Sequence, residues 1–230
     1  MALWTKSVEG AGCHMGTIDI GPNQSSELVG RYFDMLDRLL KGVAVTDRPG
    51  AIISGKAGLA KAGEMVRSTT ESARMVLIIG NGGSAGIASQ VSYDLTYNRH
   101  IRALGFSDGC TLTGLSADHG YRDVFTKQVA AHGRPGDQLI AISSSGQSPN
   151  ILEAVDVAKE GGLGVITMSG FKPDNPLRRA GDLSFYIASN EYGFVEVCHL
   201  ALCDAIVDHA IASTDATVQR SIEAHPALSC

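Results

Sequence analysis

The sequence predicts an α/β fold: an open, five-stranded parallel sheet flanked by helices. Three observations predict it. Short apolar runs alternate with longer stretches of helical period from residue 75 onward. The runs Met75–Ile79 and Leu139–Ile142 hold no polar residue, as expected of strands covered on both faces. Each of these two runs leads straight into a polar Gly- or Ser-rich loop and then a helical pattern, the signature of right-handed crossovers. Ligands of open α/β sheets bind beyond the strand C-termini, so both loops are candidate binding loops.

The elements follow in order. Ser25 and Ser26 can cap a helix carrying Leu28, Tyr32, Met35, Leu36, Leu39 and Leu40 at spacings of three and four. A break at Thr46–Gly50 follows, and Pro49 suits the first turn of a second helix with Ile52, Leu59 and Val66 on one stripe. Met75–Ile79 is the first strand, Gly80–Ser84 a loop, and Ala85–Leu95 a helix. Ile101–Phe106 is the second strand. A polar segment from Leu112 to Tyr121 leads into a helix with Val124, Phe125, Val129 and Ala130. Leu139–Ile142 is the third strand, and Pro149 opens the helix after its loop, with Ile151, Leu152, Val155 and Ala158 in helical register. Gly164–Met168 and Leu183–Ile187 are the last two strands, joined by a loop with one helical turn near Pro173–Arg179. A long helix, apolar nearly all round, spans about Phe194–Ala212 and implies burial on several sides. Residues 1–24 are expected to be a flexible arm, 25–212 a single domain and 213–230 a tail.

The two loops carry the chemistry. Ser143, Ser144, Ser145, Gly146, Gln147 and Ser148 lie between a strand and a helix N-terminus. Free backbone N–H groups and the positive end of the helix dipole meet there, and the hydroxyls add neutral donors. With no Lys or Arg in the loop, the guest would be an anion held by dipoles, and a phosphate on a small molecule fits. In Gly80-Asn-Gly-Gly-Ser84 the glycines admit close backbone approach. This loop is neither a dinucleotide fingerprint nor a P-loop, since both G-x-G-x-x-G and Gly-Lys-Ser/Thr are missing.

Composition excludes other classes. Hydrophobic residues make up 44% of the 230 and charged ones 19%, a globular rather than a disordered balance. A formal net charge of −5 argues against direct nucleic-acid binding. Five scattered cysteines without a C-x-x-C pair fit a reduced, cytoplasmic protein. The N-terminus lacks a signal peptide's apolar core, and no apolar run nears the ~20 residues of a membrane span.

Together, Gly80-Asn-Gly-Gly-Ser84, Ile142-Ser-Ser-Ser-Gly-Gln-Ser-Pro-Asn150 and Asp118-x-Gly-Tyr-x-Asp-x-Phe125 resemble the sugar isomerase (SIS) domain. More narrowly, the chain from about Ser26 to Ile211 is similar to the phosphoheptose isomerase branch, which also contains a replication-initiator-associating protein. The resemblance implies a flavodoxin-like three-layer sandwich, a homo-oligomer, usually a tetramer with sites at subunit interfaces, and a sugar-phosphate ligand. It assigns the phosphate to Ser143, Ser144, Ser145 and Ser148, the sugar to Asn81, Gly82 and Ser84, and hydroxyl contacts to Asp118. It also implies interconversion of a ketose and an aldose phosphate through an enediol, which needs one group to move a proton between carbons and another between oxygens. The family's four catalytic or zinc-binding positions, His and Glu on one helix and Gln and His on another, read Gln90, Asp94, Glu196 and Asp204 here. Asp204 cannot imitate an imidazole near neutral pH, with an ordinary pKa of ~3.9 against ~6.5.

Glu196 and His199, three apart on one helix face, are the replacement pair expected to transfer protons, with Asp94 assisting. No cofactor is required in this account. A divalent metal such as zinc on Asp94, Glu196 and His199 is the alternative, since carboxylate and imidazole suit zinc. The expected activity is a sugar-phosphate aldose–ketose isomerase, with sedoheptulose 7-phosphate as the substrate. The alternative is a non-catalytic phosphosugar-binding or scaffold protein.

Overall fold

The structure is a computed structural model that describes residues 22–48, 50–71 and 73–212. The arm expected over 1–24 therefore lies outside the described residues except for 22–24, already helical, and the tail 213–230 lies wholly outside them. The chain divides into two compact units, residues 1–35 and 36–230. The described part of the first is the opening of helix α1, Pro22–Lys41, with Leu28, Val29, Tyr32 and Phe33 exposed. The second holds the sheet and its helices.

Strands β1 (Ala44–Asp47) and β2 (Ala51–Ile53) come first, then α2 (Gly55–Glu71), β3 (Val76–Gly80), α3 (Gly83–Tyr93) and β4 (Ala103–Gly105). They are followed by α4 (Gly109–His119), α5 (Val124–His132), β5 (Gln138–Ser143), α6 (Pro149–Glu160), β6 (Gly164–Ser169), β7 (Leu183–Tyr186) and α7 (Tyr192–Ala212). The sheet order is β2-β1-β7-β6-β5-β3-β4. The five strands expected from the sequence form its parallel part, β7-β6-β5-β3-β4. Two more strands, antiparallel, extend it to seven, as β1 pairs with β7 and β2 with β1.

That hairpin corrects the sequence expectation of a helix from Pro49, a residue outside the described ones; the helix begins at Gly55. Val45 explains the outcome. Paired with Phe185, it is completely buried in the core, which a β-branched residue on a pleated strand suits. Ile52, counted toward a helix stripe, is 83% exposed. A second correction is α4, expected only as a polar segment. Asp108 caps it by accepting from the Thr111 N–H at 2.8 Å, which offsets the poor helix propensity of its glycines and threonines.

Alternation along the strands splits the core in two. Ile78, Ile140, Ile142, Ile166, Met168 and Phe185 meet α2, α3 and α7. Leu77, Ile79, Leu139, Ala141 and Val165 meet the α5–α6 side. Every residue of β3, β5 and β7 is buried, as both-face coverage requires. From β3 the chain steps outward to β4, then returns across β3 to β5 and continues to β6 and β7. The direction of winding thus reverses between β3 and β5, and the loops leaving these two strands open a crevice there.

Candidate active site

The crevice is a cavity of about 260 Å³ lined by Asn81, Gly82, Gly83, Ser84, Ser143, Ser144, Ser145, Ser148, Tyr192 and Glu196. Two helix N-termini, of α3 and α6, open on it. At the first, Gly82 adopts φ 56°, a left-handed conformation that glycine accepts without strain. A Cβ on Gly83 would overlap the carboxylate of Glu196, so the first turn of α3 approaches that carboxylate as only a glycine permits.

At the second N-terminus the serine loop is largely wired. Ser143 Oγ lies 3.2 Å from Ser148 Oγ and accepts from the Gly146 N–H at 3.2 Å. Ser148 stands at the N-cap of α6 without capping it, and Pro149 fills the first turn. Ser144 is different: its residue is 5% exposed, and its Oγ has no hydrogen-bond partner among the described residues. An unsatisfied buried hydroxyl costs about 1–3 kcal/mol, and an anion in the cavity would satisfy it.

The two loops are tied together by a reciprocal amide pair. Asn81 Nδ2 donates to Asn150 Oδ1 and Asn150 Nδ2 to Asn81 Oδ1, each at 3.0 Å. Tyr121 Oη donates to Asn81 Oδ1 at 2.8 Å. From behind, Gly170 N donates to the Ser144 carbonyl at 2.9 Å. Buried Asn175 presents its amide where a Cβ on Gly146 (φ 63°) would overlap it, and donates to Ser169 Oγ at 3.2 Å and to the Gly170 carbonyl at 3.0 Å.

Seven residues proposed from the sequence therefore line one cavity: Asn81, Gly82, Ser84, Ser143, Ser144, Ser145 and Ser148; Glu196 joins them. Three proposed residues do not. Asp118 is exposed near the end of α4. His199 is completely buried behind the cavity, and its neutral ring donates from Nε2 to the Ser169 carbonyl at 3.2 Å. Burial pulls its pKa down from 6.5 to about 4. Three residues along the helix from Glu196 thus separate a cavity-facing carboxylate from a core imidazole. Asp94 begins a π-helical turn, Asp94–Asn98, that extends α3. It accepts from Asn98 Nδ2 at 2.7 Å and lies 3.5 Å from Arg99 Nε, while Arg99 Nη2 donates to Asp208 at 2.9 Å. Asp204 faces the same group, and partial loss of solvent around its carboxylate, followed by the charges of Asp94 and Asp208, raises its pKa.

Within one chain these donors are not gathered around a common point. Asp94 is engaged by an arginine, Glu196 lies over Gly83, and His199 already donates to a carbonyl. Among the described residues no group of three or more His, Cys, Asp or Glu is placed to hold one. Two lining residues escaped the sequence reading, Gly83 and Tyr192. Gly83 lies within the Gly80–Ser84 loop, whereas Tyr192 sits just ahead of the expected helix start, its ring edge-on to Phe171 at 4.8 Å.

Known proteins resemble this chain in sequence and in fold. The SIS domain model matches residues 32–170. A phosphoheptose isomerase of Rhodospirillum rubrum is 32% identical over 161 residues, 65% of this chain and 85% of that protein. The structure of a phosphoheptose isomerase from Neisseria gonorrhoeae superposes with a TM-score of 0.68 at 27% identity, covering 81% of this chain and 99% of the other. One from Francisella tularensis gives 0.70 at 25% identity, covering 82% and 98%. By the matched model, the shared topology and the paired loops, this chain belongs to the SIS domain family.

Proposed function

We propose that the protein is a sugar-phosphate aldose–ketose isomerase, and that its substrate is sedoheptulose 7-phosphate. The observation that carries the reading is the pairing of Glu196 with the serine loop across one cavity. Ser144, with its unpartnered hydroxyl, and Ser143, Ser145 and Ser148 hold the phosphate at the α6 N-terminus. Asn81, Gly82 and Ser84 border the sugar. Glu196 removes the proton from the carbon beside the carbonyl and returns it to the neighbouring carbon, the two faces of an enediol exchange. The names of the relatives support the reaction class and the heptose phosphate.

The proton that moves between the oxygens needs a second group. Asp94 and Asp118 keep the roles proposed for them if a neighbouring subunit brings them to the cavity, and this accounts for their distance from it within one chain. A homotetramer is the proposed assembly, supported by the exposed Leu28, Val29, Tyr32 and Phe33 of α1 and by Val197, 44% exposed on α7. His199 acts as a positioning residue behind Ser169. The cytoplasm is the proposed location, supported by the unpaired Cys110, Cys198 and Cys203.

Proton exchange read by NMR in deuterated buffer tests the substrate. Sedoheptulose 7-phosphate is expected to gain deuterium next to its carbonyl and to yield an aldose phosphate, with fructose 6-phosphate exchanging far more slowly. The second reading, a phosphosugar-binding protein without catalysis, is favoured by Gln90 and Asp204 at positions where the family has histidines. It requires binding of both sugars without exchange.

A further inference from the structure

Away from the crevice, the register sets Ile52, Thr46 and Ser184 in one row across β2, β1 and β7. Their neighbours Ile53, Val45 and Phe185 belong to the opposite face, in the core under α2 and α7. The row floors a cavity of about 710 Å³, more than twice the volume of the one at the serine loop, about 260 Å³. Arg48, beside the hairpin turn, forms part of its lining. Lys159 from the last turn of α6, with Arg178 and Arg179 from the β6–β7 connection, forms another part.

Four cations thus line one concavity in a chain whose net charge is −5. The lining carboxylate, Asp47, is already held by Lys61 Nζ at 2.6 Å. Arg48 pairs with Asp182 at 2.9 Å, and Arg178 lies 4.3 Å from the Tyr186 ring centroid. Among the described residues, no hydrogen bond or ion pair holds the side chains of Lys159 or Arg179. Like charges around a concave surface raise its potential, and a bridging anion relieves the repulsion. Guanidinium forks match phosphate oxygens in pairs, and the floor offers the hydroxyl of Thr46, while that of buried Ser184 is bonded to Thr167 Oγ1 at 2.9 Å. The charge comes from the hairpin as well as from α6 and the β6–β7 connection, and the volume suits a whole small molecule, so a lone phosphate satisfies neither.

The geometry points to a second anion site in this cavity, separate from the serine loop, that takes a small molecule carrying two linked phosphate groups.

Calorimetric titration of the full chain with inorganic pyrophosphate tests the site, with orthophosphate in parallel. Saturable pyrophosphate binding is expected, with orthophosphate much weaker. Lys159→Gln combined with Arg179→Gln, both outside the core, weakens it roughly tenfold or more through lost charge-assisted hydrogen bonds. Two controls leave it unchanged. Arg74→Gln with Arg134→Gln removes equal charge from a different cavity of about 260 Å³. Ser144→Ala removes any anion binding that the serine loop contributes and leaves the binding stage that depends on Lys159 and Arg179 in place. Absence of saturable binding, equal weakening by the Arg74 and Arg134 pair, or loss of the stage that depends on Lys159 and Arg179 on Ser144→Ala each overturns the assignment.

Discussion

At the scale of single residues, the proposed chemistry turns on where one carboxylate is held. Glu196 gains its place from a missing side chain, that of Gly83, and from lying three residues ahead of a histidine turned into the core. Gly83→Ala should therefore push the carboxylate out of position. Because Gly83 is exposed and Ala suits a helix, the fold should change by less than about 1 kcal/mol. Misplacement of a catalytic group by about an ångström costs roughly a hundredfold in rate. Turnover falling about a hundredfold at an unshifted melting temperature is the expected result, and full turnover would detach Glu196 from its role. Gly83 was legible in the sequence only as part of a glycine-rich loop. That its missing Cβ makes room for a residue more than a hundred positions later depends on how α3 and α7 meet, which spacing along one chain does not encode.

At the scale of elements, α7 is pinned to the sheet by His199. Its Nε2 donates to the last residue of β6, Ser169, next to Gly170, which holds the serine loop from behind. The ring is completely buried, and burial depresses its pKa from 6.5 to about 4. The sign follows from proton counting. Between those values the unfolded imidazole binds a proton that the folded one refuses, so stability is full above pH ~6.5 and falls as pH drops toward 4. The loss attributable to this residue approaches about 3 kcal/mol at most. Chemical denaturation at pH 7 and pH 4.5 should show a decline that His199→Gln markedly reduces; an identical decline in the variant would remove the histidine from the explanation. The elements themselves were mostly legible. Pro149 marks the start of α6 and the uniform apolar runs mark β3 and β5. The hairpin was not, because Ile52, Leu59 and Val66 fit a helical stripe, and only the available edge of β7 favours the strand pairing over it. The π-turn at Asp94 leaves no mark in periodicity either.

At the scale of the whole molecule, the fold places two loops about sixty residues apart in sequence at one reversal of winding and gathers the Glu196 carboxylate and a serine-rich helix N-terminus there. Asp94 and Asp118 stand outside that cavity, so the roles proposed for them require an assembly that shares its sites between subunits. Light scattering should give four times the chain mass of 24.1 kDa, and a monomer at working concentration would leave both residues without their proposed roles. The central claim, that Glu196 moves the proton of a bound sugar phosphate, has a more direct test. Sedoheptulose 7-phosphate would be followed by NMR in deuterated buffer with the native protein and with Glu196→Gln, phosphate-site occupancy being checked in both. Deuterium is expected at the carbon beside the carbonyl with the native protein, and a rate roughly 10²–10⁴ lower with the variant at unchanged binding. Binding without exchange in the native protein, or undiminished exchange in Glu196→Gln, would contradict that claim.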